Sequence, residues 1–202
     1  MLEKDSVRDA AREKRRRQTN KDENSRQIIK RLLAMPEYQS SGNVMWYVDV
    51  RDEVRTRHAL PIALASDREI VVPYCDGDDL RLFRLHKIGD LLPGAFGILE
   101  PRQELRHDAD RKVDPGELDF VVVPGVAFDR DGGRLGHGRG FYDRLLAQVD
   151  AETTLVGLAF ECQIAAKVPI SGHDVAMDWL VTQRRTLRCQ NGLGVRAGGE
   201  GW

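Results

Sequence analysis

Cysteine is scarce in this chain. Cys75, Cys162 and Cys189 stand far apart, with no Cys-x-x-Cys step and no histidine at ligand spacing, so neither a disulfide framework nor a structural zinc site is indicated. A reducing compartment fits that usage. Long apolar runs are missing too: none approaches membrane-spanning length, and the N-terminal residues have no apolar signal core. Organelle transit peptides are poor in acids, whereas Glu3, Asp5, Asp9 and Glu13 stud the N-terminal run, so a soluble, cytoplasmic protein is expected. An excess of one charge is also absent. A formal net charge of −1 over 202 residues argues against a generally basic nucleic-acid binder, but the balance is uneven. Residues 1–31 hold 11 Lys and Arg against 6 Asp and Glu, a net of +5, which leaves −6 for the remainder. The positive charge is therefore local, and the basic run carries no interleaved aromatics of the kind that stack on bases.

What is present is an alternation of strand and helix signals. Two helices are expected first. Residues 5–17 have only Val7, Ala10 and Ala11 as an apolar face, with Lys4 and Arg8 four apart on one side. A solvated, charge-laced helix and a basic helix laid across an anionic ligand are both open readings there. The second helix, about residues 21–35, starts at Asn20 and Glu23 in a capping-box-like pattern, buries Ile28, Ile29, Leu32 and Leu33, and stops at Pro36.

Asn43 to Val50 reads as a central strand, followed by a polar loop carrying Glu53 and a helix over about residues 58–65. Open α/β sheets bind ligands at the carboxyl ends of their strands, which suits Glu53, although periodicity alone favours a first-turn acid complementing a helix dipole. Strands are expected over 69–73 and 80–85, a structured loop around Phe96 over 92–101, and a polar surface segment over 102–117. A strand over 118–123, a helix over 141–149, a strand over 153–160, a short helix over 163–167 and a strand near 179–182 complete the pattern. This predicts one α/β domain over residues 1–190, with a mostly parallel central sheet flanked by helices and prefaced by two N-terminal helices. The tail from Asn191, with 5 glycines and little apolar content, is expected to be disordered.

The chain is organised around Leu118 to Leu146, and within it around Arg134 to Asp143, which reads RLGHGRGFYD. Gly136, Gly138 and Gly140 alternate with His137 and Arg139 just where a strand hands over to a helix, a way of presenting bare backbone N–H groups and positive charge to phosphate. Two familiar motifs fail here. Gly133 to Gly138 has the gap of a Walker loop, but Arg139 and Gly140 follow instead of Lys and a hydroxyl residue. Gly136-x-Gly138 opens like a dinucleotide fingerprint, yet the third glycine comes one position early. What remains is a loop whose arginines can hold phosphoryl oxygens in a fork, or else a plain glycine hairpin with a helix-capping Asp143. If the phosphate is that of ATP, Asp143 beside it calls for an intervening cation, hence Mg²⁺. His173-Asp174 is a weaker signal, since a loop His is more often simply exposed, but Asp174 could share that metal.

The stretch VVVPGVAFDRDGGRLGHGRGFYDRLL resembles the 5-formyltetrahydrofolate cyclo-ligases, also called methenyltetrahydrofolate synthetases. Lys4 and Arg8, Asp52-Glu53-Val54, Phe96-Gly97-Ile98, Glu100-Pro101, and Pro169 with His173-Asp174 extend the likeness in the same order. The resemblance implies MgATP-dependent closure of 5-formyltetrahydrofolate to 5,10-methenyltetrahydrofolate, with release of ADP and phosphate. The formyl oxygen would be phosphorylated and N10 would then close the ring. It implies ATP contacts from Lys4, Arg8, Arg134, Leu135, Gly136, His137, Gly138, Arg139, Gly140, Phe141 and Tyr142. Folate contacts are implied for Val48, Glu53, Phe96, His137, Gly138, Arg139, Gly140 and Phe141, magnesium contacts for Asp143 and Asp174, and catalytic roles for Arg134, His137 and Arg139. This chain departs from the family pattern at His137, where Tyr or Arg is usual, at Arg139, at Phe141, where Tyr is typical, and at Arg55, where an acid is common. The expected partners are small molecules, ATP and a folate that could be polyglutamylated, with no nucleic acid or membrane, acting on a monomer. The competing readings are an RNA- or phosphate-ligand-binding α/β protein, and a related sugar-phosphate or acyl-transfer enzyme without ATP chemistry.

Overall fold

Val-rich Phe120–Val123, with four consecutive buried residues, is the middle strand of a seven-stranded sheet. The computed structural model describes residues 2–94, 97–172 and 174–190. The sheet is built from β1 (Asn43–Met45), β2 (Glu69–Asp76), β3 (Asp79–Leu85), β6 (Phe120–Val123), β9 (Thr154–Leu158), β10 (Trp179–Val181) and β11 (Thr186–Arg188). Between β3 and β6 lies a small hairpin, β4 (Leu91–Pro93) with β5 (Leu99–Pro101), and after β6 another, β7 (Ala127–Phe128) with β8 (Arg134–Leu135). The sheet order is β11-β10-β9-β6-β1-β2-β3, parallel throughout the middle and antiparallel only where β3 and β11 close the two edges. The α/β class with a mostly parallel sheet and two leading helices, α1 (Leu2–Arg17) and α2 (Lys21–Leu33), thus holds.

Both faces of the sheet are covered, as a parallel sheet requires. Ile28, Leu32 and Trp46 belong to a core on one face, together with Tyr38 of α3 (Pro36–Ser40) and Leu60 of α4 (Leu60–Leu64). Leu145 and Leu146 of α5 (Phe141–Leu146) belong to the core on the other. Helix α1 lies on neither: Ala11 packs with Val126, Ala127 and Leu135, the residues of the β7–β8 hairpin. That placement carries the N-terminal basic residues to the glycine loop.

Several local expectations are corrected. The second helix ends before Pro36, as expected, at Leu33, and Pro36 also starts α3 from its first turn, where a missing N–H costs nothing. Asn20 is in the left-handed region, φ +53°, with no side-chain cap bond, so no capping box forms. The strand expected over 43–50 leaves the ladder after Met45. The chain instead wraps around buried Asp49, whose Oδ1 accepts from Thr56 N at 2.9 Å and Arg57 N at 2.8 Å. The 92–101 loop contains the β4–β5 hairpin, because Pro93 and Pro101 occupy ends of short strands where no ladder donor is needed. The helix expected over 163–167 is a single 3₁₀ turn at Glu161–Gln163. There the Gln163 side chain donates to Gly125 O at 2.9 Å and Val126 O at 3.0 Å, tying the chain down before a helix can propagate. Strand β11 has no counterpart in the sequence pattern. The tail from Asn191 lies outside the described residues.

Candidate functional site

The glycine loop is held open by an acid that the sequence did not single out. Asp129, 1% exposed, accepts from Asp131 N at 3.0 Å and Gly133 N at 2.8 Å through Oδ1, and from Val168 N at 2.7 Å through Oδ2. A buried carboxylate saturated by backbone donors makes a rigid turn. The strand pair β7–β8 then delivers Arg134 to Gly140, and Gly140, φ +68°, sets the N-terminus of α5. Gly138 is also left-handed, φ +97°. An L side chain at either position would be strained, so these two of the three alternating glycines are a backbone requirement.

Helix α1 lies along this loop. Arg8 Nε donates to Gly136 O at 3.1 Å, and Lys4 Nζ donates to Ser171 Oγ at 2.7 Å and Asp174 Oδ2 at 2.8 Å. The opposite outcome, a merely solvated helix, is excluded for this face. A third cation was missed: Arg15, 6% exposed, whose Nη1 donates to Gly125 O at 3.2 Å while its Nε has no partner. Its position seven residues after Arg8 puts it on the same helix face, which is the signal that would have found it.

Arg134 is almost wholly buried, and its Nη2 donates to Asp143 Oδ1 at 2.5 Å while its guanidinium lies 5.6 Å from the Tyr142 ring centre. Arg139 lies 5.5 Å and Arg144 5.4 Å from the Phe141 ring centre, so the residue that lacks the usual hydroxyl serves as an aromatic seat for two guanidiniums. Leu135 is buried against α1, and its backbone carbonyl accepts from Val126 N at 2.7 Å.

On the other side of Tyr142 is a cavity of about 140 Å³. It opens at the carboxyl ends of β1 and β6, where the connection after β1 runs to one side and β6 pairs on the other, the place where doubly wound sheets bind ligands. Val48 and Glu53 line it, with Tyr47, Val50, Pro124 and Tyr142, while Ile98 and Glu100 close it from the β4–β5 hairpin. Phe96 and His173 lie outside the described residues. Glu53 is not in a helix: it is 8% exposed, its Oε2 accepts from Val50 N at 3.1 Å, and its Oε1 lies 3.7 Å from His137 Nε2. That approach joins the glycine loop to the cavity. Burial, and after it the charge of Glu53, push the Tyr142 phenol well above its ordinary pKa against the opposing Arg134 guanidinium, so Tyr142 offers a hydroxyl at every physiological pH. The cavity residues Tyr47 and Tyr74 were not singled out, since a tyrosine in an apolar strand reads as core, and Tyr142 was assigned to the glycine loop alone.

Asp143 and Asp174 each already hold a cation, Arg134 and Lys4 respectively. Among the described residues no group of three or more His, Cys, Asp or Glu converges. These residues do not fit an ion held by protein ligands alone. An ion brought by a nucleotide, coordinated mainly by phosphate oxygens, needs no such group.

Comparison with known proteins agrees on one family. A family model described as the 5-formyltetrahydrofolate cyclo-ligase family matches residues 1–183. A probable 5-formyltetrahydrofolate cyclo-ligase of Schizosaccharomyces pombe is 30% identical over 181 residues, 83% of this chain and 87% of that protein. The 5,10-methenyltetrahydrofolate synthetase structure from Aquifex aeolicus superposes with a TM-score of 0.81 at 34% identity, covering 96% of each chain. One of the same description from Mycoplasma pneumoniae gives 0.70 at 19% identity, covering 89% of this chain and 98% of that one, a likeness of fold.

Proposed function

Because the chain belongs to the 5-formyltetrahydrofolate cyclo-ligase family, we propose that this protein closes 5-formyltetrahydrofolate to 5,10-methenyltetrahydrofolate in a reaction driven by ATP. The reading rests on one observation above the rest: the arginine-bearing glycine loop and the acid-bottomed cavity meet at His137 and Glu53, 3.7 Å apart. A reaction that joins a nucleotide phosphate to a folate oxygen needs two such compartments in contact. We treat residues 1–190 as one domain acting as a monomer in the cytoplasm.

The formyl group is amide-like and a poor electrophile. Transfer of the terminal phosphoryl group of ATP to its oxygen, with ADP leaving, turns that oxygen into a leaving group. The N10 amine then adds to the formyl carbon, and loss of phosphate leaves the methenyl bridge. The chain's part is placement and charge neutralisation. Backbone N–H groups of Gly136, Gly138 and Gly140 and the cations of Lys4, Arg8, Arg134 and Arg139 face the phosphates. Lys4 and Arg134 are held in place by Asp174 and Asp143, and Arg8 clamps the loop through Gly136 O. Magnesium, arriving on the nucleotide and touching Asp143 or Asp174, would supply further charge neutralisation. In the cavity Glu53 accepts N–H groups of the pterin and Val48 packs on its ring. His137 stands between the two ligands, close to the oxygen that is phosphorylated.

The test is optical. Mixing the protein with MgATP and 5-formyltetrahydrofolate raises near-ultraviolet absorbance as the methenyl product forms. No rise with folded protein, or a rise that does not require ATP, overturns the proposal.

A further inference from the structure

Tyr47, Val48, Val50 and Glu53 line the cavity from one segment, residues 47–57, that belongs to no helix or strand. The segment keeps its shape through bonds within itself. Tyr47 Oη donates to Val54 O at 3.0 Å, Thr56 Oγ1 donates to Tyr47 O at 2.6 Å, and Asp49 N donates to Thr56 Oγ1 at 3.1 Å. At its tip Glu53 N donates to Val50 O at 3.1 Å, closing the turn that presents the Glu53 carboxylate.

That tip carries a conformational cost. Arg51 is left-handed at φ +51°, one of two non-glycine residues so placed among the described residues, and an L side chain is disfavoured there. Two cations hold the turn against that preference. Arg55 Nη1 donates to Arg51 O, and Lys21 Nζ of α2 donates to Asp52 Oδ1 at 2.5 Å. Arg55 is itself fixed in place. Its backbone N donates to Ser25 Oγ at 3.0 Å, its Nε approaches Asp22 Oδ1 at 3.5 Å, and its Nη1 lies 3.8 Å from Oδ2 of buried Asp49. Only a donor can serve at this position. An acid would bring like charge toward Asp49 and could not bond to a carbonyl.

We propose that Arg55 is the positioning residue for Glu53, an inference that rests on the folate reading of the cavity. By bonding to Arg51 O it keeps the left-handed turn formed before substrate arrives, and so keeps the free oxygen of Glu53 aimed at the pterin. Arg55 itself does not line the cavity. Without its bond Arg51 relaxes toward the right-handed region, and folate binding must re-form the turn at the expense of affinity. The nucleotide compartment has no share in that loss.

Calorimetric binding of 5-formyltetrahydrofolate to the whole protein, without nucleotide, tests this. Arg55→Met keeps bulk, removes the donor, and leaves Arg57 Nε 3.3 Å from both oxygens of Asp49. Folate affinity is expected to fall roughly fivefold to thirtyfold, the weight of one left-handed residue, with ATP affinity unchanged. Arg55→Lys, which keeps a donor, should bind close to wild type. Glycine adopts φ +51° without penalty, so Arg51→Gly/Arg55→Met should recover most of the lost affinity. A merely structural Arg55 would lower the thermal midpoint with no folate-selective loss, and a second change to glycine would restore nothing. If Arg55→Met does not fold, Arg51→Pro, which forbids a positive φ and leaves Arg55 in place, should give the same folate-selective loss. Unchanged folate affinity in a folded Arg55→Met or Arg51→Pro variant, or a loss that glycine at 51 does not rescue, overturns this inference alone. A wild type that binds no 5-formyltetrahydrofolate overturns the folate reading and this inference with it.

Discussion

Glu53 shows how much a single side chain can organise when it is buried with one oxygen committed and one facing a cavity. Oε2 is engaged by Val50 N, which fixes the rotamer, and Oε1 remains for a ligand N–H with His137 as its neighbour. On the proposed function, a charge-assisted hydrogen bond from the pterin to that oxygen would be worth about 1.5–3 kcal/mol. Glu53→Gln keeps the shape and the bond to Val50 N but removes the charge. The expected result in steady-state kinetics is a KM for the folate raised roughly tenfold to a hundredfold, with the KM for ATP nearly unchanged. An equal rise in both would move Glu53 out of the folate compartment. At this scale the sequence was only partly legible: its place after a central strand made Glu53 a ligand candidate, while periodicity favoured a helix-dipole acid, and the structure puts it in no helix. Tyr142, two positions past the last loop glycine, did not point to the cavity, because nothing in its spacing says that its ring separates two compartments.

At the scale of elements, the glycine loop was legible because glycine at every second position serves few purposes besides left-handed backbone and the close approach of a ligand. Helix α1 was ambiguous because its partner is distant in sequence. Lys4 meets Asp174, and Arg8 meets Gly136, contacts that only the tertiary fold brings together. The β4–β5 hairpin was obscured by its own prolines, and the 163–167 helix failed because Gln163 found backbone carbonyls elsewhere. The junction of loop and α5 allows a direct check. At φ +68°, Gly140→Ala places a Cβ in the left-handed region and 3.0 Å from Arg144 Nη1, the mobile end of a long side chain. The backbone penalty of about 1 kcal/mol therefore dominates the contact. Denaturant unfolding is expected to show a midpoint shifted by that amount at constant slope, and Gly140→Asn, which tolerates this region, a smaller shift. A loss as large for Asn as for Ala would point to the lost space rather than the dihedral angle.

At the scale of the molecule, residues 87–94 and 97–112 lie at the edge of the sheet beyond β3 and supply the cavity wall at Ile98 and Glu100. They are fastened at Asp90, 2% exposed, whose Oδ2 accepts from Arg111 Nη1 at 2.8 Å and whose backbone carbonyl accepts from Arg102 N at 2.9 Å. Burial pushes the Asp90 carboxyl up, but the hydrogen bond and charge of Arg111 and the backbone N–H groups of Lys87 and His86 outweigh it and hold the carboxyl below its ordinary value. A folded-state pKa below the unfolded one means stability that is fully present above about pH 4 and lost as pH falls through the lower, folded value. Asp90→Asn removes that contribution and leaves Arg111 without its carboxylate, at an expected cost of about 1–3 kcal/mol near neutrality. The stability gap between wild type and variant, followed by denaturant midpoint from pH 7 downward, should be constant to about pH 4 and shrink below it, because only the wild type has a carboxylate to protonate. A gap that stays constant to about pH 3 would assign the loss to packing rather than to the ion pair. A shrinking gap would show that these residues beside the cavity are fastened electrostatically.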